Sequence, residues 1–289
     1  MIISIASGKG GTGKTTIATS LALSLRSSVQ FLDCDVEEPN AHIFLKPQIE
    51  ETKKAYIPVP DFDKSKCNYC GRCGKVCVYN AIAVLPAGQS SGGNIMFFAP
   101  LCHGCGACSY LCPQNAIKEV EREIGVVQRG AAGAIQFIHG CLNIGEAMAP
   151  PLIREVQKHV NPANTVIIDA PPGTSCPVVV SIKVSDVCIL VTEPTPFGLN
   201  DLILAVDVLR KLNIPFGVVL NRSDVGNQET ENYCEAEGIP IVMRIPFDKN
   251  IASAYSQGVP LVEAFPGYRR LFRQLYEEIK GIRKQSALQ

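Results

Sequence analysis

An α/β fold, with a mostly parallel sheet covered on both faces and a small α+β insertion, is predicted by three features of the sequence. Short apolar runs alternate with helical stretches. A glycine loop joins the first run to the first helical stretch. Eight of the thirteen cysteines crowd between residues 67 and 112. Strands that alternate with helices of this length form parallel sheets buried on both faces, and a dense cysteine segment interrupting them is a separate module.

The elements follow in order. Ile2–Ala6 is an apolar run ending in glycines, and Lys14–Arg26 then carries helical periodicity at Ile17, Leu21 and Leu25. Val29–Leu32 reads as a second buried strand. From about Pro58 to Ile117 the alternation breaks, with short strand candidates only and no helix of normal length. Beyond it, strands are expected at Thr165–Ile168, Val187–Val191, Pro215–Leu220 and Ile241–Ile245, and helices at Glu146–Val160, Gly198–Leu212, Gln228–Glu237 and Lys249–Gln257. The expected organisation is therefore a first domain part, 1–59, an insertion, 60–118, and a second part of the same domain, 119–289. Tyr268–Lys284 is amphipathic, with Leu271, Phe272, Leu275, Ile279 and Ile282 on one side. Its glutamates, Glu277 and Glu278, favour packing on the sheet over a membrane role.

Composition excludes several classes of partner. Hydrophobic residues make up 46% and charged residues 19% of the 289, and 27 basic residues balance 27 acidic ones. Such a chain can bury a core, and nothing in its charge points to nucleic acid or an anionic membrane. The start, Met1 to Ser7, has no basic leader, and the apolar runs are too interrupted to span a bilayer, so a cytoplasmic location is expected. In a reducing compartment clustered cysteines read as metal ligands rather than disulfides. His42, His139, His159 and Cys188 have no partners at ligand spacing and are expected to be structural.

Gly8-Lys9-Gly10-Gly11-Thr12-Gly13-Lys14-Thr15, followed by Thr16, stands between a strand and a helix and matches the Walker A pattern. Glycines let backbone amides wrap phosphate oxygens at a helix N-terminus. Lys14 then brings a cation to the β- and γ-phosphates, and the Thr15 hydroxyl is suited to Mg²⁺. ATP and Mg²⁺ are the expected cofactors. The second lysine, Lys9, resembles that of the deviant Walker A P-loop NTPases, the family of MinD, ParA, the nitrogenase iron protein and the Mrp/Nbp carriers. The resemblance runs nearly end to end outside the insertion and implies a nucleotide-dependent homodimer in which Lys9 reaches the partner's phosphates. It implies a switch I at Asp33-Cys34-Asp35, with Asp35 orienting the attacking water. A switch II is implied at Asp169-Ala170-Pro171-Pro172-Gly173, with Asp169 on Mg²⁺ and the Gly173 amide toward the γ-phosphate. Asn221, Arg222 and Pro246 match its base-contacting loops, with a strand-end Asn capping the next turn as the alternative.

Within the insertion Cys67-x2-Cys70-Gly71-x-Cys73-x3-Cys77-x2-Asn80-Ala81-Ile82 recurs 35 residues later as Cys102-x2-Cys105-Gly106-x-Cys108-x3-Cys112-x2-Asn115-Ala116-Ile117. In this ferredoxin spacing three cysteines of one run and the fourth of the other ligate each 4Fe–4S cluster. Cys67, Cys70, Cys73 and Cys112 are expected at one cluster, and Cys77, Cys102, Cys105 and Cys108 at the second, ahead of zinc. Pro113 follows Cys112 as the pattern has it, whereas Val78 replaces the other proline. Five basic residues oppose two acidic ones between Pro60 and Lys118, which favours an acidic redox partner. The chain resembles MinD-superfamily ATPases with an inserted ferredoxin domain. That implies ATP-gated electron transfer through two clusters, with cluster carriage or assembly as the rival; the C-x-x-C that carriers of the Mrp/Nbp type have late in the ATPase domain is missing here. Cys141 and Cys176 lie before and after Asp169 at offsets like those of the iron protein's bridging ligands. The simpler reading of both is two buried small residues.

Overall fold

The computed structural model describes residues 1–26, 28–86 and 92–286. Its strands, in chain order, are β1 (Ile2–Ala6), β2 (Val29–Asp33), β3 (Gln48–Phe62), β4 (Ile82–Leu85), β5 (Asn94–Phe97), β6 (Ile117–Ala132), β7 (Ile135–Leu142), β8 (Thr165–Asp169), β9 (Val187–Thr192), β10 (Phe216–Asn221) and β11 (Ile241–Ile245). The helices are α1 (Lys14–Ser24), α2 (Ala41–Leu45), α3 (Arg72–Val76), α4 (Ala107–Tyr110), α5 (Ala149–Gln157), α6 (Cys176–Ile182), α7 (Pro196–Leu212), α8 (Glu229–Ala236), α9 (Lys249–Ser256), α10 (Leu261–Ala264) and α11 (Tyr268–Ser286). Nine strands form one sheet in the order β11-β10-β9-β1-β8-β2-β7-β6-β3, and β4 pairs with β5 antiparallel in a second. From β11 to β7 every neighbouring pair is parallel.

The chain divides into two compact units. The first comprises Met1–Lys53, Val127–Cys141 and Ile153–Gln289, and the second Lys54–Val126 and Leu142–Leu152. In the first, side chains alternate across the sheet as strand geometry dictates. Ile3, Ile5, Phe31 and Ile189 point into a core shared with Ile17 and Leu21 of α1 and with Phe272, Leu275 and Ile279 of α11. Ala6, Leu190, Val218 and Leu220 join Val178, Ile182, Leu202 and Val206 of α6 and α7 in another. Both faces are thus covered. The amphipathic stripe of α11 is core packing, although Leu271 stands 43% exposed and lies off that stripe. No helix among the described residues is long and apolar enough to cross a membrane.

Three strands were not anticipated. β3 and β6, of 15 and 16 residues, read as polar because Glu50, Glu51, Lys53, Lys54, Glu119 and Glu121 lie along them, and much of each is exposed. β7 follows β6 after a turn through Gly133 at φ +59°. The helix expected at Glu146–Val160 is shorter, Ala149–Gln157.

The second unit has a small core, with Ala55, Ile57, Val59, Ala81, Ile82, Ala116, Ile117 and Ile124 buried. The sequence repeat is also a repeat of conformation. Gly71 and Gly106 have φ +75° and +74°, and Asn80 and Asn115 have φ +53° and +47°. α3 and α4 start at matching positions and bury no residue. Residues 60–118 lie within this unit, apart from 87–91, which fall outside the described residues.

Candidate functional site

The glycine loop between β1 and α1 opens onto a cavity of about 300 Å³, lined by Gly10, Gly11, Gly13, Lys14, Thr15 and Thr16 together with Asp35, Pro172, Asn221, Arg222 and Pro246. Gly11 and Gly13 take φ +76° and +96°, a region that side chains strain to adopt. A Cβ on Gly8 would meet the Asp201 carbonyl at 2.2 Å, so α7 approaches the loop too closely for any other residue. The Ser7 hydroxyl donates to the Lys9 carbonyl at 2.5 Å.

The strand ends β2 and β8 lie side by side, with Asp33 in register with Asp169. Thr15 Oγ1 donates to Asp169 Oδ2 at 2.6 Å. Asp169 is fully buried, and its Oδ1 has no hydrogen-bond partner among the described residues. Burial pushes its pKa up to about 7 against the pull of Thr15 and Lys14. A hydroxyl beside a carboxylate with an unused oxygen is a donor set that fits a hard divalent cation such as Mg²⁺. Asp35 is raised to about 6 by burial, with Lys14 opposing and Glu37 and Glu38 adding to it. Asp33, raised well above its ordinary value by burial and then by Asp169, accepts from the amides of Asp35 and Ala41 and so shapes the loop that carries Asp35.

Other residues singled out in the sequence take specific positions. Asn221 donates its amide to the Thr12 carbonyl at 2.8 Å, bracing the glycine loop, while its Oδ1 accepts from the Arg222 amide. The Gly173 amide donates to the Ser7 carbonyl at 3.0 Å, and Gly173 has φ +96°. Lys9 Nζ lies 3.9 Å from Glu193 Oε2, and Arg222 Nη1 lies 2.9 Å from Glu193 Oε1. Sequence reasoning missed Glu193. The one signal for it was an acidic residue directly after a fully apolar strand. Cys141 and Cys176 are both exposed, which corrects the expectation of buried residues, whereas Cys34, Cys188 and Cys234 are buried. His139 is a core residue; its Nε2 lies 2.7 Å from Gln128 Oε1, and its ring is 5.7 Å from that of His42.

In the second unit the cysteines fall into two quartets. Cys67, Cys70, Cys73 and Cys112 line one cavity, and Cys77, Cys102, Cys105 and Cys108 line another. Each cavity takes three cysteines from one run and the last from the other. Backbone amides point at sulfur: Tyr69 to Cys67, Ala81 to Cys77 and Ala116 to Cys112, each at 3.3 Å. The last two are equivalent by the 35-residue repeat. Burial, then the neighbouring thiols Cys67 and Cys112, raises Cys73, and burial pushes Cys108 up to about 11. Thiols held up in this way ionise when a cationic centre enters among them. Among the described residues no group of three or more His, Cys, Asp or Glu converges on a single-ion site.

Comparison with known proteins places this geometry in a family. Residues 3–261 match the CobQ/CobB/MinD/ParA nucleotide binding domain. An uncharacterized protein of Methanocaldococcus jannaschii is 32% identical over 288 residues, covering 97% of this chain and 96% of that one. An iron-sulfur cluster carrier protein of Pyrococcus horikoshii is 24% identical over 307 residues, covering 97% and 87%. Among solved structures, the septum site-determining protein MinD of Pyrococcus horikoshii, complexed with Mg-ADP, superposes with a TM-score of 0.58 at 22% identity, over 96% of this chain and 95% of that one. The cell division ATPase MinD of Pyrococcus furiosus gives 0.57 at 23%, over 97% and 98%. With its glycine loop, paired strand-end aspartates and largely parallel sheet, the chain belongs to the CobQ/CobB/MinD/ParA nucleotide-binding family.

Proposed function

We propose that this chain is an ATPase of the MinD/ParA type that couples nucleotide-dependent changes of a homodimer to one-electron transfer through two 4Fe–4S clusters. Cys67, Cys70, Cys73 and Cys112 hold one cluster in a ferredoxin-like insertion, and Cys77, Cys102, Cys105 and Cys108 hold the other. The observation that carries the reading is the crosswise division of eight thiols between two cavities, each with an amide aimed at sulfur. That is the ligand exchange of two-cluster ferredoxins. When bound, the clusters supply one-electron carriers. The chain supplies the thiolates, the amides that stabilise charge on sulfur, and a cationic surface for an acidic redox partner.

At the nucleotide, Lys14 and the amides of Gly10 to Thr16 hold the phosphates, and Thr15 and Asp169 hold Mg²⁺. Asp35 orients the attacking water; Asn221, Arg222 and Pro246 border the base. Lys9 acts as the deviant Walker A lysine. It leaves Glu193 to meet the partner's phosphates, and Gly173 gives up Ser7 for the γ-phosphate. Anaerobic purification should yield about eight iron and eight sulfide per chain; four irons, or zinc in their place, would sink the cluster assignment. Lys9→Ala should bind ATP normally and fail to dimerise, as read by light scattering with a non-hydrolysable analogue.

A second reading, cluster carriage or assembly, draws support from the cluster carrier proteins that match at 24–25% identity. The two separate on one measurement. A carrier loses iron to an apo-acceptor in an ATP-dependent way, whereas an electron-transfer ATPase reduces its acceptor and keeps its iron.

A further inference from the structure

The 35-residue repeat makes the second unit its own control, because most positions lining one cavity have a counterpart lining the other. Tyr69 corresponds to Gly104, and four further pairs differ in charge or in polar group. Asn68 stands after the first cysteine of the Cys67 quartet, and His103 stands after that of the Cys102 quartet. Gln114, two residues past Cys112, corresponds to Tyr79, two past Cys77. Arg72 corresponds to Ala107, and Val84 corresponds to Glu119.

The charged differences share a direction. Around the Cys67 quartet stand a guanidinium and two primary amides, with the Phe62 and Tyr69 rings beside them. Around the Cys102 quartet stand a carboxylate and two aromatic rings, Tyr79 and His103, stacked at 3.3 Å with an interplanar angle of 8°. Adding an electron makes a thiolate-ligated cluster more negative. A nearby cation and solvating dipoles therefore raise its potential, while a carboxylate and a water-excluding apolar face lower it. One cation opposes the trend: Arg122 lies near Cys102, but its two terminal nitrogens, Nη1 and Nη2, engage the Glu146 carboxylate, which offsets its charge. Near the Cys67 quartet Asp63 is likewise matched by Lys66 at 3.0 Å. Glu119 accepts from the Ser109 hydroxyl at 2.7 Å at the cavity wall.

We infer that the two cluster sites are graded in potential, with the Cys77/Cys102/Cys105/Cys108 site the lower and the Cys67/Cys70/Cys73/Cys112 site the higher, set by Glu119 at the one cavity wall against Arg72 at the other. The inference rests on the two-cluster reading above and gives it a direction. One electron from an external low-potential one-electron donor, which is thereby oxidised by one electron, comes to rest at the Cys67 site. The acceptor draws it from that site.

The test is an anaerobic redox titration followed by EPR at pH 8, where an ordinary imidazole is neutral, on protein whose iron content has been measured first. Two one-electron waves are expected. Arg72→Ala should shift only the upper wave, downward. Glu119→Gln, nearly isosteric, should shift only the lower wave, upward. A lower wave that responds to Arg72→Ala, an upper wave that responds to Glu119→Gln, or waves that respond to neither overturns the grading while the clusters stand. Iron well below about eight per chain in the parent protein overturns the cluster reading itself, and that result is in hand before any titration begins.

Discussion

The two units of this chain both set their chemistry on loops that end, at a helix N-cap, in a glycine at positive φ, yet they hold those loops by opposite means. The glycine loop of the nucleotide site is fastened between β1 and α1, whose residues are almost wholly buried, and is braced by Asn221 from β10 and by close approach of α7. The cysteine loops lead into helices of five and four residues that bury nothing, around a core of a few alanines, isoleucines and valines. Apolar burial organises the first site before any ligand arrives. The second unit buries less, and on the proposed reading its loops gain the bonds that a metal centre adds. Of the two, only the first should outlast loss of its ligand.

Four experiments break or sharpen that contrast, beginning with the largest effect. Lys14→Ala should slow ATP hydrolysis by about 10²–10³-fold, the scale for removing one preorganised charge-stabilising group, while the visible iron–sulfur absorbance stays unchanged. A joint loss of both would mean that the units are not independent. Next, stripping iron with a chelator should broaden the amide resonances of residues 54–126 and abolish their hydrogen-exchange protection. Binding of a fluorescent ADP analogue should change by less than about twofold, since the glycine loop stays anchored in its core.

The third concerns pH. Burial raises Asp169 to about 7, from an unfolded value near 3.9. A carboxyl raised on folding contributes stability that is fully present below the unfolded pKa and lost as pH rises through the folded one. The nucleotide-free protein should therefore lose Tm between about pH 4 and pH 7, with Asp35, raised to about 6, acting in the same sense. Asp169→Asn should flatten that slope. Mg-ADP should reverse it, because the cation favours the ionised carboxylate; a Tm that is flat with pH in the parent protein would contradict the burial argument. The smallest effect is that of Asn221→Ala, which removes one hydrogen bond to Thr12 and should weaken ADP binding by about fivefold, or ~1 kcal/mol.

Much of this architecture was legible in the linear sequence because its signals are local. A glycine loop between an apolar strand and a helix, an aspartate ending β8, and two cysteine runs at one offset each require only neighbouring residues to be recognised. The alternation of apolar strands with helices likewise predicted a parallel sheet, since β1, β8 and β9 are buried on both faces and read as continuous apolar runs. β3 and β6 stayed hidden because exposed strands carry charge on their open positions and lose the apolar signature.

Tertiary structure decided what depends on distant residues meeting. Glu193 took Lys9 and Arg222 as partners from 184 and 29 residues away. Asp33 came into register with Asp169, and their shared burial, absent from any local pattern, lifted both carboxyls. The repeat announced two cysteine sites, and only the fold showed which residues line each. Tyr79 and His103 stack only because the ends of two different runs close one cavity, and electrostatics and solvent exclusion act through space rather than along the chain.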